Sequence, residues 1–194
     1  TAQDIWLGKA VAGTGGLTVQ GGTRDLTLAA GNTFSGGVKL TNADHRVIIF
    51  NATSLGTGTF RSERTVAGSG MLETAADLSS GPGVVNAFDI AAGAYLNIHA
   101  DGSNHLVLSG PLGNPSGIGN LYKDGAATLT LAGPNTYTGA TKVAAGILAC
   151  SSACSLRGGA LDISSGATAR LDFTGTRRVA SLTLGGTAQT TNGT

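Results

Sequence analysis

Residues 13–60 of the chain recur as residues 117–163. Gly13, Gly15, Leu17 and Gly21 reappear as Gly117, Gly119, Leu121 and Gly125 at a shift of 104, and Leu26-Thr27-Leu28-Ala29 reappears as Leu129-Thr130-Leu131-Ala132. Asn32-Thr33-Phe34-Ser35-Gly36 matches Asn135-Thr136-Tyr137-Thr138-Gly139, Lys39 matches Lys142, and Ser54-Leu55 matches Ser155-Leu156. A second module follows each copy: Asp89-Ile90 and Gly93-Ala94 match Asp162-Ile163 and Gly166-Ala167, and Leu106, Leu108 and Gly110 fall on Leu182, Leu184 and Gly186. The chain therefore reads as one domain of two internal copies, 13–112 and 117–186. The shift drops from 101 at Leu55 to 73 at Asp89, so the first copy holds 28 extra residues near 61–88. An insertion of about one solenoid coil is tolerated where each coil touches only its neighbours, and poorly tolerated by a closed sandwich.

The units inside each copy are short. Leu17-Thr18-Val19, Leu26-Thr27-Leu28, Leu96-Asn97-Ile98, Leu129-Thr130-Leu131 and Leu182-Thr183-Leu184 alternate apolar, polar, apolar, as half-buried strands do. Gly, Asn and Ser interrupt them after about three residues, whereas sandwich strands run to about five or six. About three strands per coil give about eight coils at solenoid repeat lengths. The expected fold is all-β, a right-handed parallel β-helix of short strands.

Composition removes competing classes. Glycine contributes 32 residues and charged residues only 12%, yet apolar residues reach 41% and cluster in runs such as Val47-Ile48-Ile49-Phe50, which argues against disorder. Glycine and β-branched residues disfavour helix, and no long stretch shows a 3.6-residue apolar period. With a net charge of +1 and no basic cluster beyond Arg177-Arg178, the footprint of a nucleic-acid binder is missing. No window approaches the roughly 20 apolar residues of a membrane helix, so no direct membrane insertion is expected. The start at Thr1, without a signal-like segment, reads as a mature or excised piece.

In the second copy, Gly125-Ala126-Ala127-Thr128-Leu129-Thr130-Leu131-Ala132-Gly133-Pro134-Asn135-Thr136-Tyr137-Thr138-Gly139, with Thr141-Lys142-Val143 and Gly146-Ile147-Leu148, resembles the passenger-associated transport repeat, also called the autotransporter-associated β-strand repeat. The first copy resembles it with two departures: Arg24-Asp25 precedes Leu26, and residues 41–46 replace the compact Ala144-Ala145-Gly146 turn. The stretch from Leu171 to Gly186 resembles the segment on the C-terminal side of this repeat in such passengers; the likeness covers about three quarters of the chain and is weakest over residues 61–88. The resemblance implies a β-helix carried to the surface of a Gram-negative bacterium or released from it, with repeats that aid export; it does not imply a catalyst. In the turn motif of Asn32, Phe34 and Gly36, repeated as Asn135, Tyr137 and Gly139, the Asn and Gly residues are expected to permit left-handed turns. The ring is expected to pack over the apolar column.

The remaining candidates have plainer readings. Cys150 and Cys154 can close a small disulfide if a turn brings their α-carbons within about 7 Å. The alternative, a zinc half-site, finds no histidine at ligand spacing among His45, His99 and His105, and no metal or other cofactor is expected. Asp101, Ser103 and His105 form the one tight set of triad-type residues, but they sit among turn formers without a Gly-Xaa-Ser-Xaa-Gly elbow. The alternative function is a polysaccharide lyase or glycosidase, which would set carboxylates on one strand face. Here Asp44, Glu63, Glu73, Asp77, Asp89, Asp162 and Asp172 are scattered along the sequence. Trp6, between Ile5 and Leu7, is read as core of a first coil, and no cap is evident at either end. The expected function is a non-enzymatic scaffold supporting export, adhesion or fibre formation. Its expected partners are further copies through the end coils, or a ligand on a host or neighbouring cell.

Overall fold

The computed structural model describes residues 4–21, 24–41, 44–68, 71–151, 153–154, 156, 158–173, 175–176 and 178–189. Thr1, Ser155 and Arg177, named above, fall outside these. In chain order the strands are β1 (Ile5–Leu7), β2 (Leu17–Val19), β3 (Leu26–Leu28), β4 (Val38–Leu40), β5 (Val47–Ile49), β6 (Phe60–Ser62), β7 (Leu72–Thr74), β8 (Phe88–Ile90), β9 (Tyr95–Ala100) and β10 (Leu106–Leu108). They continue with β11 (Leu112–Gly113), β12 (Asn120–Asp124), β13 (Thr128–Leu131), β14 (Thr141–Val143), β15 (Ile147–Cys150), β16 (Ala160–Ile163), β17 (Thr168–Leu171), β18 (Ser181–Leu184) and β19 (Thr187–Gln189).

These strands form the faces of a β-solenoid. A long sheet runs β1-β3-β5-β7-β9-β12-β14-β16-β18-β19, a five-stranded sheet runs β11-β8-β6-β4-β2, and a four-stranded sheet runs β10-β13-β15-β17. Every pairing is parallel except β18 with β19. Partners on the long sheet are 20 residues apart at Lys123↔Val143 and 26 apart at Leu72↔Ile98, so one coil takes about that length. From β1 to β18 the long sheet completes eight coils among the described residues.

The strand triplets work as their alternation dictates. In β4 to β8 and in β10 the first and third residues are buried and the middle one is partly exposed. Stacking converts each inward position into a column: Leu26, Val47, Leu72 and Ile98 lie in register on the long sheet, and Val38, Phe60 and Phe88 on the five-stranded one. Phe60 and Phe88 pack with ring centroids 5.7 Å apart. Burying each such side chain contributes about 1.5–3 kcal/mol. A three-residue strand too weak to stand alone is thus held by the coils on either side.

The two internal copies do not stack on equivalent faces. Leu17–Val19 lies in the five-stranded sheet, but its counterpart Leu121-Tyr122-Lys123 lies in the long sheet. Leu26–Leu28 lies in the long sheet, and its counterpart Leu129-Thr130-Leu131 in the four-stranded one. These two strands of the second copy are displaced by one face about the axis, whereas Leu106 and Leu108 of the four-stranded sheet correspond to Leu182 and Leu184 of the long sheet. Strand and turn geometry are local, so the motif works on any face.

Three expectations need correction. Trp6 is not core: in β1 it pairs with Thr27 at the outward position, is 63% exposed, and meets Phe50 edge-on at a centroid distance of 5.6 Å. Asn32 and Asn135 are not left-handed, because among the described residues every positive φ belongs to glycine. Nor do Gly36 and Gly139 have positive φ. They are glycine because a Cβ there would overlap the backbone of Gly15–Gly16 and of Gly119 in the adjoining coil. Finally, the last parallel strand is covered: Gly185 and Gly186, at φ 56° and 84°, turn the chain back so that β19 pairs antiparallel with β18, as two-residue hairpin loops do.

Candidate functional site

The turn motif holds coils together. Asn32 is 3% exposed; its Oδ1 accepts from Val11 N at 2.7 Å and its Nδ2 donates to Ser54 O at 2.6 Å. One buried amide therefore joins the coil before it to the coil after it, and satisfies backbone groups that a turn would leave unpaired. Phe34 and Tyr137 are 2% and 1% exposed, and the Tyr137 hydroxyl bonds Thr141 Oγ1 at 2.7 Å. Complete burial pushes that phenol up to about 12. In the second copy Asn135 is equally buried, and the position matching Ser54 is Ser155, outside the described residues.

Cys150 ends β15 in an inward column with Leu108 and Leu131, and forms a disulfide with Cys154 across a Cα–Cα distance of 5.3 Å. A turn bond from Cys154 N to Ser151 O at 2.9 Å closes the loop. Both cysteines are buried, which places the bridge in the core. Asp101 and His105 direct their polar atoms at backbone. Asp101 Oδ1 accepts from Ala126 N at 2.8 Å, and His105 Nδ1 accepts from Thr128 N at 3.0 Å. The Ala126 and Gly102 amides hold the Asp101 carboxyl below the usual carboxylate range. Each residue thus fastens its turn to the following coil, which is the work of a turn rather than of a base and its orienting acid.

Acidic residues scattered in sequence are gathered by stacking. On the outer face of the five-stranded sheet, Thr18, Lys39, Arg61 and Asp89 are successive partners in register, beside a groove of about 480 Å³. Lys39 Nζ lies 3.1 Å from Glu63, Arg61 Nε donates to Glu63 Oε1 at 3.0 Å, and Arg61 also pairs with Asp89. The hydrogen bond from Arg61, with Lys39 adding to it, holds the Glu63 carboxyl below its ordinary range. A carboxylate pinned in this way stays ionised and cannot supply the raised-pKa acid of a glycosidase pair.

A different groove lies on the outer face of the long sheet. Asn97, Tyr122, Lys142, Asp162 and Thr183 occupy one register position on β9, β12, β14, β16 and β18, beside an opening of about 450 Å³ that Tyr95, Ala140 and Ala160 also line. Lys142 and Asp162 pair at 3.2 Å and remain partly exposed. One wall comes from the inserted residues 61–88. Asn97 Nδ2 donates to Val66 O at 2.9 Å and Gly68 N donates to Asn97 Oδ1 at 3.1 Å, fixing this segment over the sheet with Ala67 at the rim. The Tyr122 phenol end abuts Gly68, and burial raises its pKa.

One buried residue escapes any reading of the local pattern. Lys123 stands inward in β12, between Ile98 and Val143 in the apolar column, and is 0% exposed. Its Nζ donates to Asp124 O at 2.7 Å and Gly125 O at 2.6 Å. Burial pushes its pKa down to about 8, against the pull of Asp124 and Asp101. The signal was available in the internal alignment, where Leu17 matches Leu121 and the inward Val19 therefore corresponds to Lys123.

A family model described as the passenger-associated-transport-repeat matches residues 25–43 and 121–149. The first match contains β3, Asn32, Phe34, Gly36 and β4, and the second contains β12 from Leu121 on, β13, Asn135, Tyr137, Gly139 and β14. No curated protein and no solved structure matched the chain.

Proposed function

We propose that this chain, which carries the passenger-associated transport repeat twice, is a structural segment of a protein exported to the surface of a Gram-negative bacterium or released from it. The observation behind this reading is the unbroken parallel ladder from β1 to β18 around one apolar core. At about 4.8 Å per strand, its eight coils give a rod about 40 Å long. Each coil is stabilised by its neighbours, so a chain emerging outside the cell can add coils one after another, and folding itself supports export. The faces then present whatever the coils display to a host or neighbouring cell.

Self-association belongs to the same reading. At the first coil Ile5 and Trp6 are exposed, and an opening of about 390 Å³ lined by Leu7, Leu17, Val19 and Leu26 reaches the inward columns, where Leu7 and Leu17 are only partly buried. A further coil, from the same polypeptide or a second copy, fits that end. Small-angle scattering and sedimentation of the purified chain, together with incubation against neutral and acidic polysaccharides, test the proposal. Elongated particles without turnover are expected. Cleavage of any polysaccharide would overturn the scaffold reading in favour of a polysaccharide-processing enzyme.

A further inference from the structure

The groove on the long sheet combines features that select a ligand class. Its floor is a ladder of side chains one strand apart, so recognition groups recur about every 4.8 Å along the axis. That interval is comparable with the rise per residue of an extended glycan. Tyr122, its phenol end against Gly68, contributes an aromatic surface to the groove, suited to the apolar face of a sugar ring. Lys142 and Asp162, paired at 3.2 Å and partly exposed, offer donors and an acceptor side by side while cancelling in charge.

Other occupants fit less well. An anion would need a cation without a carboxylate beside it, and Lys142 already has Asp162. A peptide adding as a strand needs an open edge, whereas here the strand backbones are paired on both sides. A purely apolar partner would bury the Lys142–Asp162 pair without compensation.

We propose that this groove binds a neutral saccharide chain lying along the solenoid axis, with Tyr122 under a sugar ring and the Lys142–Asp162 pair hydrogen-bonded to its hydroxyls. The wall at Val66–Gly68 belongs to the insertion that lengthens the first copy, and the second copy has no counterpart. The insertion therefore does more than add a coil: it converts an open sheet face into a cleft.

The test uses the whole chain, titrated with a panel of short neutral oligosaccharides and their acidic counterparts and followed by NMR shifts and calorimetry. A neutral oligosaccharide is expected to bind, and Lys142→Ala and Asp162→Ala are each expected to weaken it about tenfold or more, which is about 1.4 kcal/mol. Both side chains are partly exposed, so far-UV circular dichroism should not change, and Lys39→Ala on the other charged face should bind like the unaltered chain. Absence of binding by every neutral oligosaccharide, a preference for acidic ones, or binding that survives both groove substitutions would each overturn the proposal. The rod reading would survive any of these results.

Discussion

Lys123→Met is the most informative single substitution. Lys123 is fully buried in an apolar column, and its pKa falls from 10.5 to about 8 because burial disfavours the ammonium. A shift of that size, at 1.36 kcal/mol per unit, corresponds to about 3 kcal/mol of stability lost at neutral pH relative to an unperturbed lysine. Methionine keeps an unbranched side chain of similar length between Ile98 and Val143 and removes the charge. It also gives up the hydrogen bonds to the Asp124 and Gly125 carbonyls, about 1 kcal/mol each. The net expectation is a gain of about 1–2 kcal/mol at pH 7, in line with other replacements of buried charges by hydrophobes. The pH dependence gives the sharper signature. Between about 8 and 10.5 the unfolded chain binds a proton that the folded chain has released, so stability of the unaltered protein rises with pH across that window. The variant lacks this term, and its advantage should shrink as pH approaches 10. Urea midpoints read by far-UV circular dichroism at pH 7, 8.5 and 10 measure both effects. A variant less stable than the parent at pH 7, or an advantage that stays constant to pH 10, would refute the reasoning.

Reducing the Cys150–Cys154 bridge, or replacing both cysteines by alanine, should cost about 2 kcal/mol, the modest figure the chain-entropy model gives for so short a loop. A mass increase of two hydrogens on reduction, with the matching fall in urea midpoint, checks it. Asn32→Ala strands the Val11 amide and the Ser54 carbonyl in the core, so a loss of about 2–4 kcal/mol is expected by thermal denaturation. Loss of hydrogen-exchange protection at Val11 should accompany it.

Much of the fold was legible because its rules are local. The Leu-Thr-Leu alternation, the three-residue strand length and the repeated Asn-Thr-aromatic-Xaa-Gly turn predict parallel coils with Phe34 and Tyr137 inside, and both rings are buried. The glycines of that turn were legible as glycines but not for the right reason. No local signal distinguishes a residue whose φ must be positive from one, like Gly36 or Gly139, where the next coil leaves no room for a Cβ.

Short strands, a whole-coil insertion and a twice-used motif admit a solenoid and little else, and all three are written in the order of the residues. Which residues become neighbours across coils is settled at the level of tertiary structure. A period of two says that Ile5 and Leu7 share a side opposite Trp6, but in an all-apolar triplet it cannot say which side is inside; the pairing of Trp6 with Thr27 settles that. Coils of 19 to 28 residues bring together side chains that no spacing rule connects, such as Tyr122 with Lys142 and Asp162, or Lys123 with Ile98 and Val143. The copy-to-copy alignment could not supply these contacts, because equivalent strands fall on different faces and do not stack. Stacking depends on the accumulated length of the chain between two strands, and that length is set by turns and insertions rather than by the strands they join.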